Sequence, residues 1–177
     1  DLRGSRTLAE EYCQARGVPP GHLLGLRAGV TEEISRSNYE HFVRQPFFER
    51  AQKEGWMLIE TDAEGKSRTV RNDVWILLLS WGMPLRIGGT TLPRDIQGAD
   101  RVRQGTDAAL DSELACLPLL DYAVAGAIEN PFHRQPSTFS GDWARRLILV
   151  TRLDGPTVED AQRLLRDALA VERYGIA

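Results

Sequence analysis

The sequence predicts an α/β protein with a mainly parallel sheet flanked by helices, a three-layer arrangement of Rossmann-like or flavodoxin-like type. Two short apolar runs, 74–79 and 147–151, end in turn residues, which is typical of strands buried on both faces of a parallel sheet. Segments with helical spacing of apolar residues alternate with these runs, as α/β folds require. A turn-rich segment between two further short runs predicts a small β-hairpin insert.

Length and composition are those of an ordinary globular domain. The 177 residues are enough for one core, and 1–177 is interpreted as a single α/β domain. The net charge of -3 gives no basic field that would favour nucleic acid as a partner. Because no apolar stretch reaches 18 residues, no transmembrane segment is predicted in this chain. Arginine supplies 20 of the 22 basic residues, which suits carboxylate or phosphate recognition but also fits a coding bias.

The N-terminal part predicts a helix before any strand. Residues 5–16 form a helix capped by Ser5 or Thr7 and stopped by Gly17, and a Pro-Pro-Gly turn then leads into a short buried strand at 22–26. A doubly wound sheet normally begins with a strand. We therefore expect a first strand before Asp1 and a further strand after the C-terminal end, so that the chain is a fragment of a longer protein.

The middle of the chain predicts a second helix and the hairpin. Ser35 caps a helix that ends at Gly55, and Pro46 should kink or divide it because proline lacks a backbone donor. Segments 57–60 and 68–70 are the two strands of the hairpin insert. The central strand, 74–80, follows directly and ends in Trp81-Gly82-Met83-Pro84.

The C-terminal half contains a long polar segment, a strand and two helices. Residues 88–105 show no periodicity, and loops of this length are often functional. Thr106 or Asp107 is expected to cap a helix over 108–122, and 147–151 is the second buried strand. Thr157 caps the last helix, with acidic residues in its first turn.

Polar residues near the ends of the two strongest strands form the candidate site. Arg86 follows the central strand, and Arg152 follows the second buried strand. If these strands are parallel neighbours, both arginines leave the sheet at the same edge, where ligands usually bind. Nearby carboxylates would pair with the arginines or share an anionic ligand with them. The predicted ligand-binding residues are Arg86, Asp111, Ser112, Glu113, Arg152 and Asp154; a structural ion-pair network explains the same set.

No residue is assigned to catalysis, to a metal or to a cofactor. The histidines, His22, His41 and His133, have no neighbours at metal-ligand spacing. Cys13 and Cys116 are predicted to be small buried hydrophobes without a disulfide. A Cys116–His133 dyad is the one nucleophilic pairing that can be written, and nothing in the sequence brings the two together. The glycine-containing loops match neither the dinucleotide fingerprint nor the P-loop.

Several segments together resemble an uncharacterised bacterial family found in genomes that carry exosortase-type protein-sorting systems. They are Ile34-Ser35-Arg36 with Tyr39, residues 82–87, residues 111–115, Asn130-Pro131 and residues 149–156, of which the last is the most specific. The resemblance implies a protein that is longer at both ends and an exported or envelope setting. It implies no known activity, and the hairpin insert around Gly65 departs from the family.

Three functional hypotheses follow. The first is a binding or accessory module that holds an unidentified ligand or peptide at the Arg/carboxylate site. The second is a hydrolase distantly similar to caspase-type or gingipain-type peptidases, which requires a histidine within reach of a cysteine or serine at the strand ends. In the third, the same charged residues only anchor loops.

Overall fold

The computed structural model describes residues 3–29, 31–89, 107–120 and 147–175. Its helices are α1 (Arg3–Arg16), α2 (Arg36–Tyr39), α3 (Gln45–Lys53), α4 (Leu110–Ala115) and α5 (Val158–Tyr174). Its strands are β1 (Glu33–Ser35), β2 (Met57–Thr61), β3 (Ser67–Asn72), β4 (Ile76–Ser80), β5 (Arg86–Gly88), β6 (Ala108–Ala109) and β7 (Leu149–Leu153). Among the described residues no helix is both long enough and apolar enough to cross a membrane.

The predicted three-layer parallel sheet is wrong. The described strands form three small sheets: β1-β5-β6, in which one pairing is parallel and one antiparallel, the antiparallel pair β2-β3, and the parallel pair β4-β7. The described part of the chain is therefore mixed α/β without a dominant parallel sheet. The prediction failed because apolar runs were interpreted as strands buried on both faces, yet Ile76 is 62% exposed and its register partner Leu149 is 48% exposed.

The predicted adjacency of the two strongest strands is confirmed. β4 and β7 pair in parallel, with Ile76 opposite Leu149 and Ser80 opposite Leu153. Both strands begin two residues later than predicted, so Arg152 lies within β7 and not beyond it. Two apolar clusters use this pair: Leu79 belongs to the larger one, and Leu153 packs against a smaller one built from α1 and α5.

The predicted strand at 22–26 is wrong. α1 ends at Arg16, and Gly17 follows with a φ of +64°, as a helix stop requires. Pro20–His22 is a single 3₁₀ turn, and the described residues after it, 23–29, belong to no strand. The run is apolar enough for a strand, but no other described segment offers it a ladder of hydrogen bonds.

The helix that contains Pro46 begins as predicted. The Ser35 hydroxyl accepts a hydrogen bond from the Asn38 amide at 3.2 Å. Between α2 and α3 the residues Glu40–Arg44 form a π-helical segment, so the helix widens there and is not divided. Because Pro46 has no N–H, the ordinary i→i+4 pattern is already interrupted at this point, and the Gln45 amide donates to the Glu40 carbonyl instead.

The predicted hairpin is present as β2 and β3, each longer than the sequence indicated. The Asp62 side chain accepts a hydrogen bond from the Lys66 amide at 2.8 Å, and Gly65 has a φ of +82°. These are the features that a tight turn needs from Asp and Gly.

The segment before α4 corrects the predicted helix start. Residues 108 and 109 pair with β5 as β6, and α4 begins only at Leu110, without a side-chain cap. Asp107 accepts a hydrogen bond from the Gly89 amide instead. Residues 90–106, most of the long polar segment, lie outside the described part of the chain, as does the Asn130-Pro131 segment of the family resemblance.

An exposed ion pair between α1 and α5 gives a pH-dependent prediction. Hydrogen bonds from Arg16 lower the pKa of the Glu172 carboxyl. A depressed folded-state pKa contributes stability that is present above the unfolded value, about 4.3, and is lost as pH falls through the folded value. A ¹³C NMR titration should place the Glu172 midpoint below that of the Arg16→Gln variant; equal midpoints would show that the pair does not form in solution.

Candidate functional site

Arg152 is the centre of the predicted site, and β7 places it against α4. Its Nε lies 2.9 Å from both Asp111 carboxylate oxygens, and its Nη2 donates to Oδ1 at 2.6 Å. This is the bidentate geometry in which arginine and carboxylate planes match. The pairing ties β7 to the first turn of α4.

The same guanidinium also holds the turn that leaves β4. Nη1 donates to the Met83 carbonyl at 3.0 Å, and Nη2 donates to the Pro84 carbonyl at 2.6 Å. The Asp154 carboxylate lies 3.6 Å from Nη1. A guanidinium has five N–H donors, and four of them are hydrogen-bonded to Asp111, Met83 and Pro84 oxygens. Arg152 thus joins three chain segments: β7, α4 and the turn after β4.

The exposed part of this cluster is acidic. The Arg152 side chain is 15% exposed, whereas Asp111 is 41% exposed and Asp154 is 26% exposed. Two carboxylates against one guanidinium give a formal charge of -1. An anion would therefore meet a net negative charge here. The carboxylate oxygens keep further lone pairs, so the cluster is suited to a cationic group.

Glu113 lies on the same helix but takes part in a different ion pair. Its Oε1 forms an ion pair with Arg36 Nη1 at 2.9 Å, and both side chains are almost inaccessible, 5% for Glu113 and 11% for Arg36. The Arg36 guanidinium also lies over the Tyr39 ring, 5.6 Å from its centroid. Asp111 and Glu113 point apart because residues two positions apart on a helix do not share a face. Ser112, between them, is exposed.

Arg86 follows β4, as predicted, but it lies in a further strand, β5, and not in a loop. The turn after β4 carries the chain directly into this strand, and the exposed Arg86 side chain pairs with Glu33 of β1 at 2.8 Å. The contacts of the described residues therefore bring together Arg152, Asp111 and Asp154. They assign Arg86 and Glu113 to separate ion pairs. A ligand role for these residues and for Ser112 stays a prediction.

Sequence reasoning missed the partners that come from elsewhere in the chain. Arg36 and Glu33 carried no site signal, because charged residues at a helix start or in a short strand are usually solvated. The Met83 and Pro84 carbonyls are backbone groups, which residue identity does not reveal. Pro84 could have indicated them, because a proline interrupts strand pairing and leaves nearby backbone carbonyls available to a side-chain donor.

A small cleft of about 100 Å³ lies between α1 and the β4-β7 pair. Ala9, Tyr12, Cys13, Val18, His22, Leu23, Leu78, Ser80 and Leu153 line it. Ligand pockets for drug-sized molecules have roughly 300–1,000 Å³, so this cleft has room for a single aliphatic side chain. The Ser80 hydroxyl already donates to the Ser5 carbonyl at 2.7 Å.

Each of the two described histidines packs against an aromatic ring. His22 packs edge-on against Trp56 with 5.1 Å between ring centroids, and His41 packs similarly against Phe42 at 4.6 Å. His133, and with it the Cys116–His133 dyad, lies outside the described residues. Within the described ranges, no group of three or more His, Cys, Asp or Glu residues is arranged to hold a metal ion.

The two thiols should differ strongly in reactivity. Cys13 is half-buried and borders the cleft, whereas Cys116 is buried and its pKa is raised, first by burial and then by the negative charge of Glu113. Because the thiolate is the reactive form, a disulfide reagent should label one thiol in the native protein and the second only on unfolding. Cys13→Ser should abolish the native-state reaction; rapid labelling that survives this substitution would contradict the assignment.

Neither a protein-family model, nor a curated protein, nor a solved structure matches the chain. The resemblance to the exosortase-associated family therefore has no support from these comparisons and stays a prediction. Function has to be argued from the site alone.

Proposed function

We propose that this protein is a binding module that holds a cationic group of a ligand or partner peptide at Asp111 and Asp154. The observation that carries the proposal is the -1 charge of the Arg152 cluster, whose carboxylates are accessible while its guanidinium is engaged. From the sequence, a shared anionic ligand was one of the open alternatives. Geometry supports the opposite sign, because four of the five Arg152 N–H donors bond oxygens of the chain itself and the cluster has a net negative charge.

Arg152 is a positioning residue in this proposal. Its bidentate contact fixes the Asp111 carboxylate, and its contacts with two backbone carbonyls fix the turn beside it. A ligand guanidinium or ammonium would then meet a carboxylate that has already lost most of its rotational freedom. Pre-organisation of this kind lowers the entropic cost of binding.

The structure contains a reporter for this binding. The Trp81 indole N–H donates to the Gly155 carbonyl at 3.0 Å, and the Gly155 amide donates to the Asp154 carboxylate at 2.9 Å. A ligand charge at Asp154 should therefore shift the Trp81 indole resonance in ¹H–¹⁵N spectra. The probes are arginine amide and, as the anionic comparison, succinate at equal ionic strength. We expect a saturable shift with arginine amide and none with succinate.

The Asp154→Asn variant should weaken binding of arginine amide by about threefold to tenfold, since one partly exposed charge-assisted hydrogen bond is lost. Asp167→Asn is the matched control, because it removes the same charge from an exposed position of α5. Equal affinities for the two variants, or a saturable response to succinate in place of arginine amide, would refute the proposal.

No contact among the described residues favours the hydrolase alternative. In the part of the chain that the structure describes, no hydrogen bond joins a histidine to a cysteine or serine side chain. An exported setting remains part of the proposal, and the family resemblance of the sequence is its sole support.

A further inference from the structure

We draw no further inference here: the strongest candidate, the exposed apolar face formed by Trp75, Ile76 and Leu149 at the amino-terminal ends of β4 and β7, carries nothing because no described residue or bound group shows what covers it.

Discussion

Replacing Arg152 with alanine should lower the free energy of unfolding by about 2–4 kcal/mol, the range for losing a largely buried, hydrogen-bonded charge. The substitution removes the contacts to Asp111 and leaves the Met83 and Pro84 carbonyls without their donor. It also removes the side-chain contact between α4 and β7. Urea denaturation followed by circular dichroism would measure the loss.

Two further variants show whether the geometry of Arg152 matters. Arg152→Lys keeps the charge but lacks the planar guanidinium that bonds Asp111 and the two carbonyls together. We expect its free energy of unfolding to lie between those of the wild type and Arg152→Ala. Arg163→Ala is the control, since Arg163 forms an exposed i,i+3 pair with Asp160 and such pairs contribute little. If Arg152→Ala were as stable as Arg163→Ala, Arg152 would not join β7, α4 and the turn after β4 in solution.

Replacing Glu113 with glutamine should have an effect of similar or larger size, about 3–5 kcal/mol, because it leaves the Arg36 charge buried opposite a neutral side chain. The same change removes the negative charge that contributes to the raised pKa of Cys116. We therefore expect a lower midpoint of urea unfolding together with a lower Cys116 pKa, measured by a ¹³C NMR titration of its Cβ.

The Arg36–Glu113 pair also allows a compensating substitution. In the double variant Arg36→Met with Glu113→Gln, no unpaired charge remains, so much of the lost stability should return. Glu40→Gln is the control, because Glu40 forms an i,i+4 pair with Arg44 and is 41% exposed. A double variant no more stable than Glu113→Gln would show that the buried charge is not the cause of the loss.

The candidate site was predictable in part, and the reason is local chemistry. Asp111 and Arg152 were chosen because they lie at a helix start and near a strand end, and the structure joins them directly. Arg86 was chosen on the same grounds, yet it pairs with Glu33. The difference is that β5 begins at Arg86 and turns its side chain toward β1, a pairing that no local pattern indicates.

Local sequence determined the ends of the helices and the turn of the hairpin. Ser35 and Thr157 cap α2 and α5 through their own hydroxyls, and Gly17 ends α1, since these effects depend on residues within one helical turn. The sequence also identified two apolar runs that pair with each other. A short apolar run predicts an element that packs against other parts of the protein, and this was enough to identify β4 and β7.

The tertiary structure alone decided how strands group into sheets and which charges meet. Hydrophobic runs do not specify how many neighbours a strand has, so a single parallel sheet was predicted where the described strands form three small sheets. Ion pairs between distant segments depend on register: a shift of two residues places Arg152 inside β7, facing α4, and not in the loop beyond it. Because side-chain direction alternates along a strand and contacts cross long stretches of chain, neither property can be obtained from local sequence.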